Sequence, residues 1–191
     1  MKSALDLVRR YLQGDESAFR ELYSRYRRPL FVYLLSLVGH RDNAEDLLQE
    51  TFFLFLRRID RLGDHENLKP WLLRVARNAA IDFLRRKQRA EEARAHHQRD
   101  LILRQNAYER PGSGDVIDSE RLARAIQSLP ADQREVVVLH ALLDVSFRQI
   151  GELAEISENT AASRFRYGRE KLASLLEGNS PATGSTKRSS T

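Results

Sequence analysis

No cysteine occurs among the 191 residues, so neither a disulfide framework nor a thiolate zinc site is available and packing alone must hold the fold, as suits a reducing cytoplasm. No apolar run approaches the roughly 20 residues that a membrane span needs, and the opening Met1-Lys2-Ser3-Ala4-Leu5-Asp6 lacks the apolar stretch of a secretory signal. A soluble, cytoplasmic protein without membrane insertion is expected. Strand signals are nearly absent, and the β-branched Val136-Val137-Val138-Leu139 has helix-compatible flanks. Neither a Gly-rich phosphate loop nor a nucleophile constellation occurs. The five histidines, at 40, 65, 96, 97 and 140, show no metal-ligand spacing with carboxylates. These absences argue against an enzyme, a metal site and a cofactor.

Charge is present and unevenly placed. Residues 1–90 hold 18 Lys+Arg against 12 Asp+Glu, residues 91–120 hold 4 against 7, and residues 121–177 hold 8 of each. A basic front, an acidic middle and a balanced rear suggest two folded units on a connector, with phosphate-facing surface at least on the first. Within the front, Leu5, Val8 and Leu12 share one face, then Phe19, Leu22, Tyr23 and Tyr26 recur at helical spacing. Pro29 fits the first turn of a helix carrying Phe31, Leu34, Leu35 and Val38, which Gly39 ends. Asp42 with Glu45 forms a variant capping box for an amphipathic helix over 43–58. A loop follows, and Asn67 with Pro70 opens a helix from about 68 to 88 with Trp71, Leu72, Val75, Ala76 and Phe83 inward. Its other side bears Arg74, Arg77, Asn78 and Arg85. Pro111-Gly112-Ser113-Gly114-Asp115 is the clearest break and places a linker at 89–119, part of which is compatible with helix. The Ser/Thr-rich residues 178–191 are expected to be disordered.

The rear unit divides into Glu120–Leu129, Ala131–Leu142, Phe147–Ala154 and Glu158–Leu176. Ser146 with Gln149 reads as a capping box and Ser157 as the next cap. Two helices joined by so short a turn must cross steeply, as in a helix-turn-helix. The second is basic. Phe165, Leu172, Leu175 and Leu176 are expected inward, with Asn159, Ala162, Ser163, Arg166 and Tyr167 outward to read bases, and Thr160, Arg164, Arg169 and Lys171 placed for backbone phosphates.

Asp42-Asn43-Ala44-Glu45-Asp46-Leu47-Leu48-Gln49-Glu50-Thr51-Phe52, the stretch Pro70-Trp71-Leu72-Leu73-Arg74-Val75-Ala76-Arg77-Asn78, Leu129-Pro130 with Arg134, and Thr160-Ala161-Ala162-Ser163-Arg164 with Arg169 together resemble the extracytoplasmic-function group of bacterial sigma factors. The resemblance covers about 15–88 and 120–176. It implies an all-α chain of two small domains: a sigma region 2 bundle over 1–88 and a region 4 helix-turn-helix over 120–177, joined by a flexible linker.

The resemblance further implies that Asp46, Leu47, Gln49, Glu50 and Phe53 dock on the clamp helices of the largest subunit of core RNA polymerase, with the flap as a second contact. His65, Asn67 and Leu68 would form a pocket for a flipped minus-ten base, with Arg74, Arg77, Asn78 and Arg85 on the melted strand's backbone. Asn159, Thr160, Ala162, Ser163, Arg164, Arg166, Tyr167, Arg169 and Lys171 would face the minus-thirty-five element. Sequestration by an anti-sigma factor, and a monomeric state when free of polymerase, are also implied. Asn159, Ala162, Gly168 and Gln149-Ile150-Gly151 depart from the usual pattern, and Gly168 is expected to cost about 0.8–1 kcal/mol against Ala. The alternative is a free-standing helix-turn-helix regulator with an N-terminal sensor domain.

Overall fold

The computed structural model describes residues 3–61, 67–97 and 116–177, and side chains of all these except 61, 94–97 and 116–120. Eight α-helices and no strand occur among the described residues. The front unit contains α1 (Ala4–Leu12), α2 (Glu16–Val38), α3 (Arg41–Arg58) and α4 (Leu68–His97). The rear unit contains α5 (Val116–Gln127), α6 (Ala131–Val137), α7 (Phe147–Ala154) and α8 (Glu158–Glu177).

The helix starts have local causes. Ser3 Oγ accepts from the Asp6 amide at 3.1 Å while the Asp6 carboxylate accepts from the Ser3 amide at 3.2 Å, a closed capping box on α1. Asp15 caps α2 by accepting from the Ser17 amide at 2.9 Å, and Arg10 Nε donates to its other oxygen at 2.9 Å. The Ser17 hydroxyl, which donates at 2.5 Å to the same oxygen as the Ser17 amide, and then Arg10 pull the Asp15 carboxyl down to about 2. Gly39 closes α2 in the left-handed region at φ 75°, its amide donating to the Leu35 carbonyl.

Several expectations change on contact with the packing. The inward face of α1 is Ala4, Leu7, Val8 and Tyr11 rather than Leu5, Val8 and Leu12, and Leu12 is half exposed. Pro29 does not open a helix: it lies inside the 23-residue α2. Leu22, Leu30, Tyr33 and Leu34 form one fully buried stripe along that helix, and their burial outweighs the hydrogen bond that proline removes. The Asp42–Glu45 box does not form. His40 occupies the N-cap without a side-chain bond, Asp42 sits in the first turn near the positive dipole end, and Glu45 pairs with Arg41 at 3.0 Å. Helix α4 continues past 88 to His97, so its last residues run into the span assigned to the linker. Residues 98–115, the middle of that span, and the tail 178–191 lie outside the described residues, and α5 begins at Val116 rather than Glu120, so the end of the span is helical too.

In the rear unit the segment expected as one helix over 131–142 is α6 followed by a π turn at Val138–Leu142, where the Leu143 amide reaches the Val138 carbonyl at 3.1 Å. Val136, Val137, Val138 and Leu139 are all buried there. Helix α8 crosses α6 at Gly168. A Cβ on that glycine would lie 2.7 Å from Val137 Cγ2 and 3.4 Å from Gln133 Cβ, so the missing side chain sets the crossing distance. Leu175, expected inward, is instead 39% exposed, because it lies beyond that crossing on a helix with little above it. The two units touch, α2 against α6 and α4 against α7.

Gly168→Ala should therefore destabilise the chain by about 1 kcal/mol in urea titrations, since overpacking of about 1–3 kcal/mol exceeds the propensity gained. A stabilised variant would show that α8 can shift freely. Because the Asp15 pKa is lowered by folding, its contribution is complete above about pH 4 and is lost as pH falls toward 2. Asp15→Asn, which keeps a capping oxygen, should show a shallower fall of urea midpoint from pH 4 to pH 2 than the parent.

Candidate nucleic-acid interface

The helix-turn-helix is built from caps and one close approach. Ser146 and Gln149 form the predicted box on α7, with Ser146 Oγ accepting from the Gln149 amide. Glu155 ends α7 in the left-handed region at φ 58°, and the Ile156 amide donates back to Gly151 at 3.0 Å. A Cβ at Gly151 would meet the Ile156 carbonyl at 2.8 Å, so the turn folds back over a glycine. Ser157 Oγ then accepts from the Thr160 amide at 3.0 Å and starts α8. His140 stacks on Phe147 at 4.1 Å and meets Phe165 edge-on at 4.7 Å, pinning α7 and α8 to the π turn.

This packing leaves a polar face on the first half of α8. Asn159, Ser163, Arg166 and Tyr167 are exposed, with Ala162 half-buried beside them. The Arg166 guanidinium lies 4.9 Å from the Tyr167 ring and donates to its hydroxyl at 3.2 Å, which presents both groups as one plate. Thr160 is exposed at the helix start, and Arg169 and Lys171 are exposed further along. Arg164 departs from expectation. Its Nε pairs with Asp132 of α6 at 3.2 Å, so this cation braces α8 against its own domain instead of projecting with the others.

On the front unit Asp46, Gln49, Glu50 and Phe53 form one exposed face of α3. Phe53 is 59% exposed, an uncommon position for a phenylalanine, and Arg57 lies 5.7 Å from its ring. Leu47 does not belong to that face; it is buried in the core, because it follows the inward stripe of Ala44, Leu48, Thr51 and Phe55. On α4, Arg74, Asn78 and Arg85 are exposed at helical spacing, with Arg85 4.0 Å from Asp82. Asn67 is exposed at the head of the helix, whereas Leu68 is buried and cannot line an open pocket. His65 lies outside the described residues. Trp71 packs edge-on against Phe55 at 6.0 Å, in keeping with a core role.

Arg77 is the largest departure. Its Nε donates to Glu135 Oε1 of α6 at 2.8 Å, and the Tyr33 hydroxyl donates to the same oxygen at 2.7 Å. Burial, reinforced by the Glu135 carboxylate, pushes the Tyr33 phenol well above its usual range. The pair joins front to rear. Nothing local in the sequence marks it, since 102 residues separate Tyr33 from Glu135.

Residues 22–90 match the family model for sigma-70 region 2, and residues 119–172 match that for sigma-70 region 4. The chain is 36% identical over 169 residues to the RNA polymerase sigma factor CarQ of Myxococcus xanthus, covering 88% of this chain and 95% of that one. It is also 36% identical over 157 residues to the extracytoplasmic-function sigma factor SigM of Bacillus subtilis, covering 81% and 93%. The chain belongs to the extracytoplasmic-function sigma factors. Its fold also matches the sigma factor RpoE of Bartonella quintana, solved with the anti-sigma factor NepR, at a TM-score of 0.73 and 24% identity over 85% of this chain and 98% of that one.

A sigma factor directs RNA polymerase to promoters, and exposed faces lie on both family regions: those of α3 and α4 in region 2, that of α8 in region 4. Among the described residues of this sigma factor, no helix is long and apolar enough to cross a membrane.

Burial separates Leu47 from Phe53, which lie on the same helix. Leu47→Ala should cost about 2–5 kcal/mol in chemical denaturation. Phe53→Ala should stay within about 0.5 kcal/mol of the parent, as surface changes do.

Proposed function

We propose a residue-level division of labour for this promoter-specificity subunit. The face of Asp46, Gln49, Glu50 and Phe53 docks on the clamp helices of core RNA polymerase, an exposed aromatic anchor inside a polar rim being the form such interfaces take. Arg74, Asn78 and Arg85 run along one side of α4 and hold the backbone of the melted minus-ten strand, with Asn67 at the head of that helix, together with His65, taking an extruded base. Asn159, Ser163, Arg166 and Tyr167 read the minus-thirty-five element in the major groove, while Thr160, Arg169 and Lys171 contact phosphates. Domains of 1–88 and 120–177, a flap contact by the rear domain, a cytoplasmic location and the absence of any catalysis of its own belong to the same reading. So does control by an anti-sigma factor, which would cover Phe53 and its neighbours in the resting cell.

The exposed polar first half of α8, with Arg166 and Tyr167 at its surface and Arg169 and Lys171 following, held out by a capped and glycine-closed turn, is the observation that carries the proposal. A regulator with a sensing front domain is disfavoured by a front core filled by Leu7, Leu22, Tyr33, Leu34, Phe55 and Leu72, all fully buried. Run-off transcription with core polymerase over a promoter library tests the division. Arg166→Ala should lower initiation about 5- to 100-fold at some promoters and spare others, the signature of a lost base contact. Phe53→Ala and Glu50→Ala should lower it at every promoter. Equal losses from all three variants everywhere would overturn the assignment.

A further inference from the structure

Polar bonds tie the rear unit to α2 and α4 of the front one. Besides the Tyr33–Glu135–Arg77 cluster, Gln127 Nε2 donates to the Leu35 carbonyl at 3.1 Å, and Arg134 Nη1 holds Gln127 by donating to its Oε1 at 2.9 Å. Lys69 Nζ donates to the Leu143 carbonyl at the end of the π turn. Helix α7 stands over the head of α4, where Gln149, Glu152 and Leu153 face Asn67, Pro70, Trp71 and Arg74 across a cleft of about 290 Å³.

The chemistry of the cluster is that of a cation holding a phosphate. Arg77 is drawn from the same side-chain set as Arg74 and Arg85, yet its side chain is only 19% exposed and that of Glu135 only 12%. A second rear-unit carboxylate, Glu155 at the helix-turn-helix corner, also acts on the Arg77 guanidinium. Carboxylates and phosphates compete for one guanidinium fork, so a strand cannot take Arg77 while Glu135 holds it. Glu152 meanwhile faces Arg74 across the cleft.

Distance makes opening obligatory. Elements at about minus ten and minus thirty-five are about 25 base pairs apart, which is about 85 Å of duplex at about 3.4 Å per step. Two units in direct contact, each smaller than 100 residues and so with a radius of gyration under about 13 Å, cannot reach both at once.

We infer that Glu135 is an intramolecular latch: it stands in for a phosphate on Arg77, closes the rear unit over the minus-ten face of the free chain, and is released when polymerase draws the units apart. The inference rests on the assignment of that face of α4 to the melted strand. It differs from anti-sigma control in needing no second protein.

The absence of cysteine allows site-specific labelling of the full chain. Dyes on Ser24→Cys and Ser174→Cys, both exposed positions, report the separation of the units by energy transfer, and fluorescence anisotropy with an oligothymidylate reports access to the backbone-binding cations. Glu135→Gln keeps shape and removes the charge. Glu16→Gln, at an exposed site on α2, makes the same change in net charge elsewhere. Transfer in the free chain should be high for the parent and for Glu16→Gln and lower for Glu135→Gln. Oligothymidylate should bind Glu135→Gln about fivefold more tightly than Glu16→Gln, as expected for one freed phosphate-facing cation. Run-off rates at saturating core polymerase should match the parent, because the latch is already open there. Unchanged transfer in Glu135→Gln would overturn the latch. Reduced transfer without tighter binding would overturn the assignment of the strand to this face, and the inhibitory role with it.

Discussion

One carboxylate oxygen, Oε1 of Glu135, receives both the Tyr33 hydroxyl and the Arg77 guanidinium, and the relation of the two halves turns on it. Taking an ion pair out of water is expensive, so this cluster adds little net stability compared with an apolar contact of the same shape. What it adds is register: the acceptor must sit where α2, α4 and α6 converge, and leaving either donor unpaired in that place would be costly. A contact of this kind holds one arrangement firmly while its partners are present. It also gives way readily to another anion, a property that apolar packing between the same helices would lack.

Around that junction the surface divides by chemistry. Helix α3 shows an aromatic ring among carboxylates and an amide, the surface proposed to meet protein. Helices α4 and α8 show arginine and asparagine, the surfaces proposed to meet nucleic acid. The scaffold beneath is packed tightly enough to fix these faces. Gly151 and Gly168 admit approaches that any side chain would obstruct, and the ring cluster of His140, Phe147 and Phe165 binds the turn to the helix it presents. Arg164 shows the same economy, used as an internal brace through Asp132.

How much could be read from the chain alone depended on the range of the forces involved. Helix α7 spans Phe147–Ala154 as its pattern predicts, because Ser146, Gln149 and the turn residues are neighbours in sequence. Arg74 and Arg166 also lie on the exposed faces their spacing assigns, and Asp46, Gln49, Glu50 and Phe53 lie on the exposed face that the resemblance implies. Leu47 and Leu68 did not, since each borders the apolar stripe and only the packed helices decide on which side of the border it falls. Pro29 misled because local preference argued for a boundary while the stripe from Leu22 to Leu34 argued against one. Gly168 misled for the opposite reason: propensity describes the helix in isolation, whereas Val137 and Gln133 of α6 are what press on that position. Arg77 was right in type and wrong in partner, its carboxylate arriving from the other half of the chain.

Hydroxyl-radical footprinting of the sigma factor, free and bound to core RNA polymerase, tests the central claim most directly. Tyr33 is fully buried where the rear unit meets the front one, and Phe53 is the exposed ring of α3. The account predicts that polymerase protects Phe53 and increases the oxidation of Tyr33 in the same sample. Phe53 oxidised equally in both states, or Tyr33 as protected in the complex as before it, would contradict the account.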